Sequence, residues 1–382
     1  MILYFNQAYL GHPDIQQTIV DHRGRDTFSR LMNLANINPG HAAWYCRQGA
    51  NLLPFKNELI DVPGFAMPNY DPDYRKSWIE VTDQRCQDLR ESHWNKPWSI
   101  MWSGGIDSTT VVAAMIRNLA SADLDNITIS CNAFSVWENP KFYFDHIKPN
   151  FKVINSHDLL NQDLDSQDVY FITGDTADQL FGCAGGYLHS LYQNTDLLYT
   201  NIIKNKDCAI DFISAQLDNP DRYFAEWYYH VLLTNADSVG ISITTIHDLL
   251  AWSGLNNAWI SNTFRLMYSG NWKNITTAKS YIERCVHWYS SDDYQQWAMN
   301  SNNASEKLGP TASEYKLAAK KYIHSVDYNN YYFQFKTKME STSLLDRKRP
   351  WGHWCCIDHD WNLLNIKDHR DQIIQMLPDH LA

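Results

Sequence analysis

The segment at residues 98–110, WSIMWSGGIDSTT, decides the fold. Its first five residues are apolar or β-forming and predict a strand, and apolar residues with helical spacing run from Val111 to Ile116. A turn of small residues lies between these two patterns. The segment therefore predicts a strand, a tight turn and a helix in immediate succession.

A turn of this kind is suited to binding an anion. The first N–H groups of a helix have no partner within the helix, and the helix dipole places partial positive charge there. Gly104 and Gly105 would let a phosphate approach the backbone, and Ser103 and Ser108 add hydroxyl donors. Asp107 adds a carboxylate, which phosphate would repel unless a divalent cation lay between them. The turn predicts a nucleotide site with Mg²⁺; the alternative is an ordinary glycine-rich turn in which Asp107 caps the helix.

Composition sets the class of protein. The 382 residues, 44% hydrophobic and 20% charged, predict a globular chain of about two domains. A net charge of −11 argues against a protein that holds nucleic acid through its phosphates. The eight cysteines include no C-x-x-C pair and predict reduced thiols. Because neither a transmembrane span nor a signal peptide is evident, we expect a cytoplasmic protein without a membrane partner.

Strand and helix patterns alternate after the turn, which predicts an α/β fold with a doubly wound, mostly parallel sheet. The predicted strands are 127–131, 151–154 and 169–173, and the predicted helices are 108–121, 139–147 and 159–164. Residues 1–95, broken by prolines, are predicted to form a small N-terminal α+β module. Residues 96–382 are predicted to form the main domain, with a nucleotide-binding core at 96–200 and a mainly helical part at 201–382.

A second informative segment, GDTADQLFG, occupies residues 174–182. It follows a predicted buried strand, and its carboxylates Asp175 and Asp178 are three residues apart, so a helix would place both on one face. Ligand sites collect at the carboxyl ends of parallel strands. We therefore expect Asp107 and Asp178 to share one Mg²⁺. The alternative is that Asp175 and Asp178 only cap the following helix.

The two segments carry a resemblance to a known family. SGGIDS at 103–108 resembles the SGGxDS pyrophosphate loop (PP-loop) of the N-type ATP pyrophosphatases, and GDTADQLFG resembles the G-E-G-[SA]-D-E-[LI]-F-G-G motif of asparagine synthetase. The resemblance implies an adenine nucleotide alpha-hydrolase-like fold. It also implies an ATP-dependent ligase that adenylates a carboxylate, releasing AMP and pyrophosphate, for attack by an amine. Asp175 and Gln179 stand where the family has glutamates, which leaves the role of Asp175 as a catalytic base open.

The resemblance also implies roles for individual residues. The backbone of Met101 and Val136 would hold adenine; Ser103, Gly104, Gly105 and Ser108 would bind the pyrophosphate; Thr173 and Gly174 would contact the ribose or α-phosphate; and Asp107 and Asp178 would bind Mg²⁺. A lysine of the family's R-x-K element, which follows a helix opening with a lysine, assists pyrophosphate departure. Lys338 is the best match to this lysine and Lys336 the second, and residues 347–349 (RKR) are a competing match. The alternative interpretation is that these basic residues only form a solvated face.

The family's glutaminase domain is not expected here. Residue 2 is Ile rather than the nucleophilic cysteine, and residues 1–95 are too short for that domain. Nitrogen would come from free ammonia, from a separate amidotransferase subunit, or from an amine on the substrate as in the β-lactam synthetases. Two alternative functions are a nucleobase- or tRNA-modifying PP-loop enzyme, whose four-cysteine zinc spacing this sequence lacks, and a non-catalytic nucleotide-binding relative.

Overall fold

The structure is a computed structural model that describes residues 67–156, 167–182, 199–215, 222–259, 283–300, 304–307 and 314–336, together with the backbone of 356–357 and 363–364. The helix predicted at 159–164, most of the module predicted at 1–95, Lys338 and residues 347–349 lie outside these residues.

Strands and helices alternate through the first half of the described chain. The strands are β1 (Trp98–Met101), β2 (Ile127–Cys131), β3 (Lys152–Asn155), β4 (Tyr170–Thr173), β5 (Cys285–His287), β6 (Cys356–Ile357) and β7 (Leu363–Leu364). The helices are α1 (Trp78–His93), α2 (Ile106–Asn118), α3 (Ser121–Leu124), α4 (Ala133–Glu138), α5 (Pro140–Phe142), α6 (Lys148–Asn150), α7 (Ala177–Leu180), α8 (Lys206–Ala215), α9 (Arg222–Asp237), α10 (Ile246–Ser253), α11 (Asp292–Met299), α12 (Ala304–Lys307), α13 (Leu317–Asp327) and α14 (Asn330–Phe335). Two segments, Tyr143–Ile147 and Gly254–Ala258, are π-helical.

Five parallel strands form the main sheet in the order β3-β2-β1-β4-β5. Strands β2 and β3 follow β1 on one side of the sheet, and β4 and β5 follow it on the other side. The strand order therefore reverses between β1 and β4. Ligands of open parallel sheets bind beside the carboxyl ends of the strands at such a point. Met101 ends β1 opposite Thr173 of β4, which places the SGGIDS turn there. The prediction of an α/β fold with a parallel sheet is confirmed.

The chain divides into two compact units, which we name by their content. The sheet unit comprises Lys76–Asp175, Leu266–Ser291 and Ala312–Ala382, and the helical unit comprises Met1–Arg75, Thr176–Arg265 and Asp292–Thr311. Helix α1, which falls within the module predicted at 1–95, belongs to the sheet unit because it packs on α2.

The core of the sheet unit lies where α1 and α2 cover the central strands. Trp98 and Ile100 of β1 are buried, as are Val112 and Met115 of α2. Helix α1 begins with a capping box, in which Ser77 and Glu80 satisfy each other's backbone N–H groups. This packing fixes the position of the turn that joins β1 to α2.

In the helical unit, aromatic side chains of α9 form much of the core. Phe224 stacks on Tyr228, and the Tyr228 hydroxyl lies 2.7 Å from the Ser253 hydroxyl at the end of α10. The aromatic run of α9 therefore serves packing. A helix long and apolar enough to cross a membrane is not found in the part of the chain that the structure describes.

Candidate functional site

The turn between β1 and α2 has a backbone that only glycine fits. Gly104 has a φ of +81°, and a Cβ there would lie 2.2 Å from the Ser135 carbonyl oxygen. Gly105 is the N-cap residue of α2, and no described side chain caps that end. The N-terminal end of α2 therefore keeps the features that bind an anion.

The serine hydroxyls organise the turn itself. The Ser108 hydroxyl accepts a hydrogen bond from the Ser103 backbone N–H at 3.0 Å, and the two serine hydroxyls lie 3.0 Å apart. The Ser103 hydroxyl also accepts from the Gly105 N–H at 3.3 Å. Because Ser103 is exposed, its hydroxyl is accessible from solvent. The turn is thus preorganised, with hydroxyl and amide donors close together.

The ends of β4 and β5 lie against the start of α2. A Cβ on Gly174 would be 3.0 Å from the Ser108 nitrogen, so only glycine allows this approach without displacement. The Tyr289 hydroxyl, two residues beyond β5, donates to the Asp107 carbonyl at 2.8 Å. Thr173 accepts a hydrogen bond from the Asp175 N–H at 3.1 Å through its hydroxyl. Gly174, directly after β4, therefore packs against the start of α2.

Three buried lysines come from the C-terminal part of the sheet unit. Lys316, immediately before α13, donates to the Asp107 carboxylate. Lys336, immediately after α14, donates to the Glu138 carboxylate at 2.8 Å. Lys320 of α13 donates to the Lys336 carbonyl at 3.2 Å. Their cationic groups thus lie near a predicted phosphate site, where Lys316 and Lys336 each pair with a carboxylate.

These ionisable groups perturb one another. Burial lowers the pKa of Lys336 although Glu138 and Asp107 raise it, and Lys316 lowers it further. Burial and the charge of Lys336 lower the pKa of Lys320 to about 8. Burial, with the charge of Glu138, raises the pKa of the Tyr332 hydroxyl well above its ordinary value. Coupled groups shifted by burial and by specific partners are typical of functional sites.

The structure brings most of the predicted site residues to one place. Met101, Ser103, Gly104, Gly105, Asp107, Ser108, Thr173, Gly174, Asp175 and Lys336 all belong to the sheet unit around the β1–α2 turn. Val136 is buried in α4, and its N–H donates to the Asn132 carbonyl at 3.2 Å. Asp178 belongs to the helical unit. Lys338 and the rival residues 347–349 lie outside the described residues.

Four buried residues of the site were missed in the sequence: Glu138, Lys316, Lys320 and Tyr332. Two signals could have found some of them. Glu138 follows Val136 by two residues, within the segment assigned to adenine, and Lys316 opens the helix that precedes the Lys336–Lys338 element. The partner of each is about 200 residues away in the chain, which no local pattern reveals.

The residues present fit Mg²⁺ bound together with a triphosphate. The Asp107 side chain is 28% exposed and supplies hard carboxylate oxygens. No group of three or more His, Cys, Asp and Glu side chains suited to hold a metal occurs among the described residues. Mg²⁺ is usually bound by one or two carboxylates plus substrate phosphates, which is the donor set available here.

The fold and the turn define an α/β protein with a glycine-containing strand–turn–helix at the switch point of a five-stranded parallel sheet. Comparison of the chain with known protein families, curated proteins and solved structures gives no match.

Proposed function

We propose that this chain is an ATP-dependent enzyme that forms AMP and pyrophosphate, activating a small carboxylate for attack by ammonia or another amine. The observation that carries the proposal is the SGGIDS turn at the switch point, with Lys316 and Lys336 buried beside it. The resemblance of two segments to asparagine synthetase supports the adenine nucleotide alpha-hydrolase-like fold and this reaction class.

In the proposed reaction, a carboxylate oxygen attacks the α-phosphorus of ATP. The bond to the bridging oxygen breaks, and pyrophosphate leaves. The amine nitrogen then attacks the acyl carbon, the bond to AMP breaks, and the amine loses one proton. Mg²⁺, held by Asp107 and Asp178, would neutralise charge on the triphosphate when bound.

The chain's own groups bind and orient the nucleotide. The N–H groups at the start of α2 and the hydroxyls of Ser103 and Ser108 bind the leaving pyrophosphate. Lys316, which pairs with the Asp107 carboxylate, would be available to bind a phosphate when that carboxylate holds Mg²⁺. Glu138 holds Lys336 in place, and Lys338, two residues further on, stabilises the departing charge. Asp175 is the proposed base that accepts the amine proton.

Exchange of labelled pyrophosphate into ATP tests the proposal directly. With the right carboxylate present, we expect exchange in the wild type and its loss in Asp107→Ala and Asp178→Ala. Lys338→Met should lower exchange at least 100-fold, whereas Lys321→Met, an exposed lysine on α13, should not change it. Release of ADP and orthophosphate instead of AMP would reject this reaction class, and full activity in either aspartate variant would reject the metal assignment.

One observation favours a second function, a non-catalytic nucleotide-binding protein. Asp107, the metal ligand of the proposal, is already paired with the buried Lys316, and Asp175 and Gln179 replace the family's glutamates. This candidate predicts ATP binding with no pyrophosphate exchange over a wide panel of carboxylates. Equilibrium binding of ATP, measured beside the exchange assay, separates the two functions.

A further inference from the structure

Tyr289 contacts the start of α2 from a part of the chain that is distant in sequence. Its hydroxyl donates a hydrogen bond to the Asp107 carbonyl at 2.8 Å, and the two residues are 182 positions apart. The tyrosine is fully buried, and its ring stacks on Trp78 of α1 with 5.9 Å between the ring centroids. Packing of the ring therefore holds the hydroxyl against this carbonyl.

The backbone on either side of Tyr289 is fixed by two other elements. The Trp288 N–H donates to the Thr173 carbonyl at 2.9 Å, which extends the pairing of β4 with β5. The Arg85 guanidinium of α1 donates to the Trp288 carbonyl at 2.8 Å and to the His287 carbonyl at 3.2 Å. The segment after β5 thus has a defined position relative to both the sheet and α1.

The peptide group that Tyr289 contacts also packs against Gly174. A Cβ on Gly174 would lie 3.0 Å from the Asp107 carbonyl carbon and 3.0 Å from the Ser108 nitrogen. Gly174 therefore lies against the Asp107–Ser108 peptide, and Tyr289 holds the carbonyl oxygen of that same peptide. The residues that follow β4 and β5 thus converge on one peptide group.

This peptide group supplies one of the N–H groups in the first turn of α2. Ser108 is the third residue of the helix, so its N–H has no partner within the helix. A hydrogen bond to the carbonyl oxygen of a peptide polarises the whole peptide group, which makes its N–H a stronger donor. The Tyr289 hydroxyl therefore acts on the Ser108 N–H through the Asp107 carbonyl.

We infer that Tyr289 is a positioning residue, which fixes and polarises the Asp107–Ser108 peptide so that the Ser108 N–H binds pyrophosphate. This role rests on the proposed function, in which the N–H groups at the start of α2 bind the leaving pyrophosphate. Tyr289 acts only through the backbone of α2. We therefore expect its hydroxyl to affect the KM for pyrophosphate in the exchange reaction more than kcat.

Titration calorimetry of the full chain, with magnesium pyrophosphate as the probe, tests the role of Tyr289. Tyr289→Phe, which removes only the hydroxyl, should weaken pyrophosphate binding by about fivefold, the effect expected from the loss of one hydrogen bond. Tyr74→Phe is the matched control, because the buried Tyr74 also donates to a backbone carbonyl, that of Asp293 at 3.0 Å in the helical unit. The control should bind pyrophosphate as the wild type does.

An NMR measurement separates this role from a general loss of stability. The sequence contains three Asp-Ser pairs, at 107–108, 165–166 and 237–238. Labelling Asp with ¹³C at the carbonyl and Ser with ¹⁵N therefore selects three peptide signals, and the one that Asp107→Asn removes belongs to 107–108. In Tyr289→Phe we expect this signal alone to move, to a lower carbonyl ¹³C shift, because the carbonyl loses a hydrogen bond. None of the three should move in Tyr74→Phe.

Two outcomes would overturn the role of Tyr289: equal pyrophosphate affinity in Tyr289→Phe and the wild type, or an unchanged 107–108 signal. If Tyr289→Phe does not fold, as judged by its circular dichroism and thermal melt, Arg85→Met takes its place. Arg85→Met removes two hydrogen bonds that hold the segment, so it should change pyrophosphate affinity and the 107–108 signal in the same directions.

Exchange of labelled pyrophosphate into ATP separates this inference from the proposed function. Pyrophosphate binding that Tyr289→Phe weakens, with no exchange for any carboxylate, contradicts the proposed function alone. Exchange with equal pyrophosphate affinity in Tyr289→Phe and the wild type contradicts the role of Tyr289 alone. A wild type that binds no pyrophosphate contradicts both.

Discussion

Glu138 and Lys336 form an ion pair that is almost fully excluded from solvent. Their side chains are 1% and 5% exposed, and the charged atoms are 2.8 Å apart. Burying two charges is expensive, and their attraction offsets that cost only while both partners are present. The pair therefore positions Lys336 beside the turn without adding net charge.

Removing one member of this pair should be worse than removing both. We expect Glu138→Gln to lower the free energy of unfolding by about 3 to 5 kcal/mol, because it leaves Lys336 buried without its anion. The double variant Glu138→Gln with Lys336→Met should lose less than Glu138→Gln alone. Urea denaturation followed by tryptophan fluorescence measures both.

The exposed pair Lys206–Glu226 is the control for this cycle. Its side chains are 42% and 48% exposed, so Lys206→Met should change stability by at most about 1 kcal/mol. If the losses of unfolding free energy in Glu138→Gln and in Lys336→Met add up to the loss in the double variant, the two charges do not depend on each other.

At the scale of elements, the turn between β1 and α2 depends on one glycine far more than on its neighbour. In Gly104→Ala, the new Cβ would collide with the Ser135 carbonyl at a φ of +81°, so we expect a loss of about 2 to 5 kcal/mol, from backbone strain and overpacking together. In Gly105→Ala, φ is −70° and the nearest atoms are 3.3 Å away, so stability should stay within about 1 kcal/mol of the wild type. Thermal melts of the two variants measure both losses of stability. Equal losses in Gly104→Ala and Gly105→Ala would contradict this account of the turn.

Helix α13 ends in a conformation that suits glycine rather than its actual residue. Tyr328 is the C-cap residue, has a φ of +52° and is 75% exposed. Tyr328→Gly should raise the free energy of unfolding by about 0.5 to 1 kcal/mol, because it removes the left-handed strain at little cost in packing. Tyr328→Ala keeps that strain and should not stabilise the protein. A higher denaturation midpoint for the alanine variant than for the glycine variant would refute this prediction.

The elements that could be predicted from the sequence are those with a local pattern. The strand at 127–131 has the predicted bounds, and α2 starts two residues before the predicted 108, because strand character, small residues and helical spacing follow one another there. Strand β5 was missed within a region predicted to be mostly helical. It has only three residues, too few for any periodicity, and forms by pairing with β4.

The candidate site also has a part that a local sequence pattern predicts and a part that no local pattern predicts. The turn and the Thr173–Gly174 segment are contiguous in sequence, and their small residues signal the site. The pairs Lys316–Asp107 and Lys336–Glu138 join residues 209 and 198 positions apart, so only the folded chain reveals them.

At the scale of the whole molecule, each unit buries a lysine with a pKa of about 8. In the helical unit, burial lowers the pKa of Lys307, against the raising effect of Asp248. In the sheet unit, burial and the charge of Lys336 lower the pKa of Lys320. In the sheet unit, burial also raises the pKa values of Cys86, Cys131 and Tyr143 to about 12. The two sets of groups act on stability in opposite directions as the pH rises.

Stability should therefore rise from pH 8 to about pH 9, change little up to about pH 10, and fall at higher pH. Between pH 8 and 10.5 the unfolded chain keeps protons on these lysines that the folded chain has lost, so the contribution of the lysines to the free energy of unfolding increases with pH. Above about pH 9 the unfolded chain loses thiol protons that the folded chain keeps, so the contribution of the thiols decreases with pH and offsets that of the lysines. Lys307→Met removes one buried charge. Since one pKa unit corresponds to about 1.4 kcal/mol, the loss of this charge should raise the free energy of unfolding at pH 7 by about 1 to 3 kcal/mol relative to the wild type. The gain should shrink toward pH 10, where the wild-type lysine is neutral in the folded chain. Urea denaturation of the wild type and of Lys307→Met at pH 7, 8, 9 and 10 measures the difference, and a difference that stays constant over this range would show that Lys307 does not titrate near pH 8.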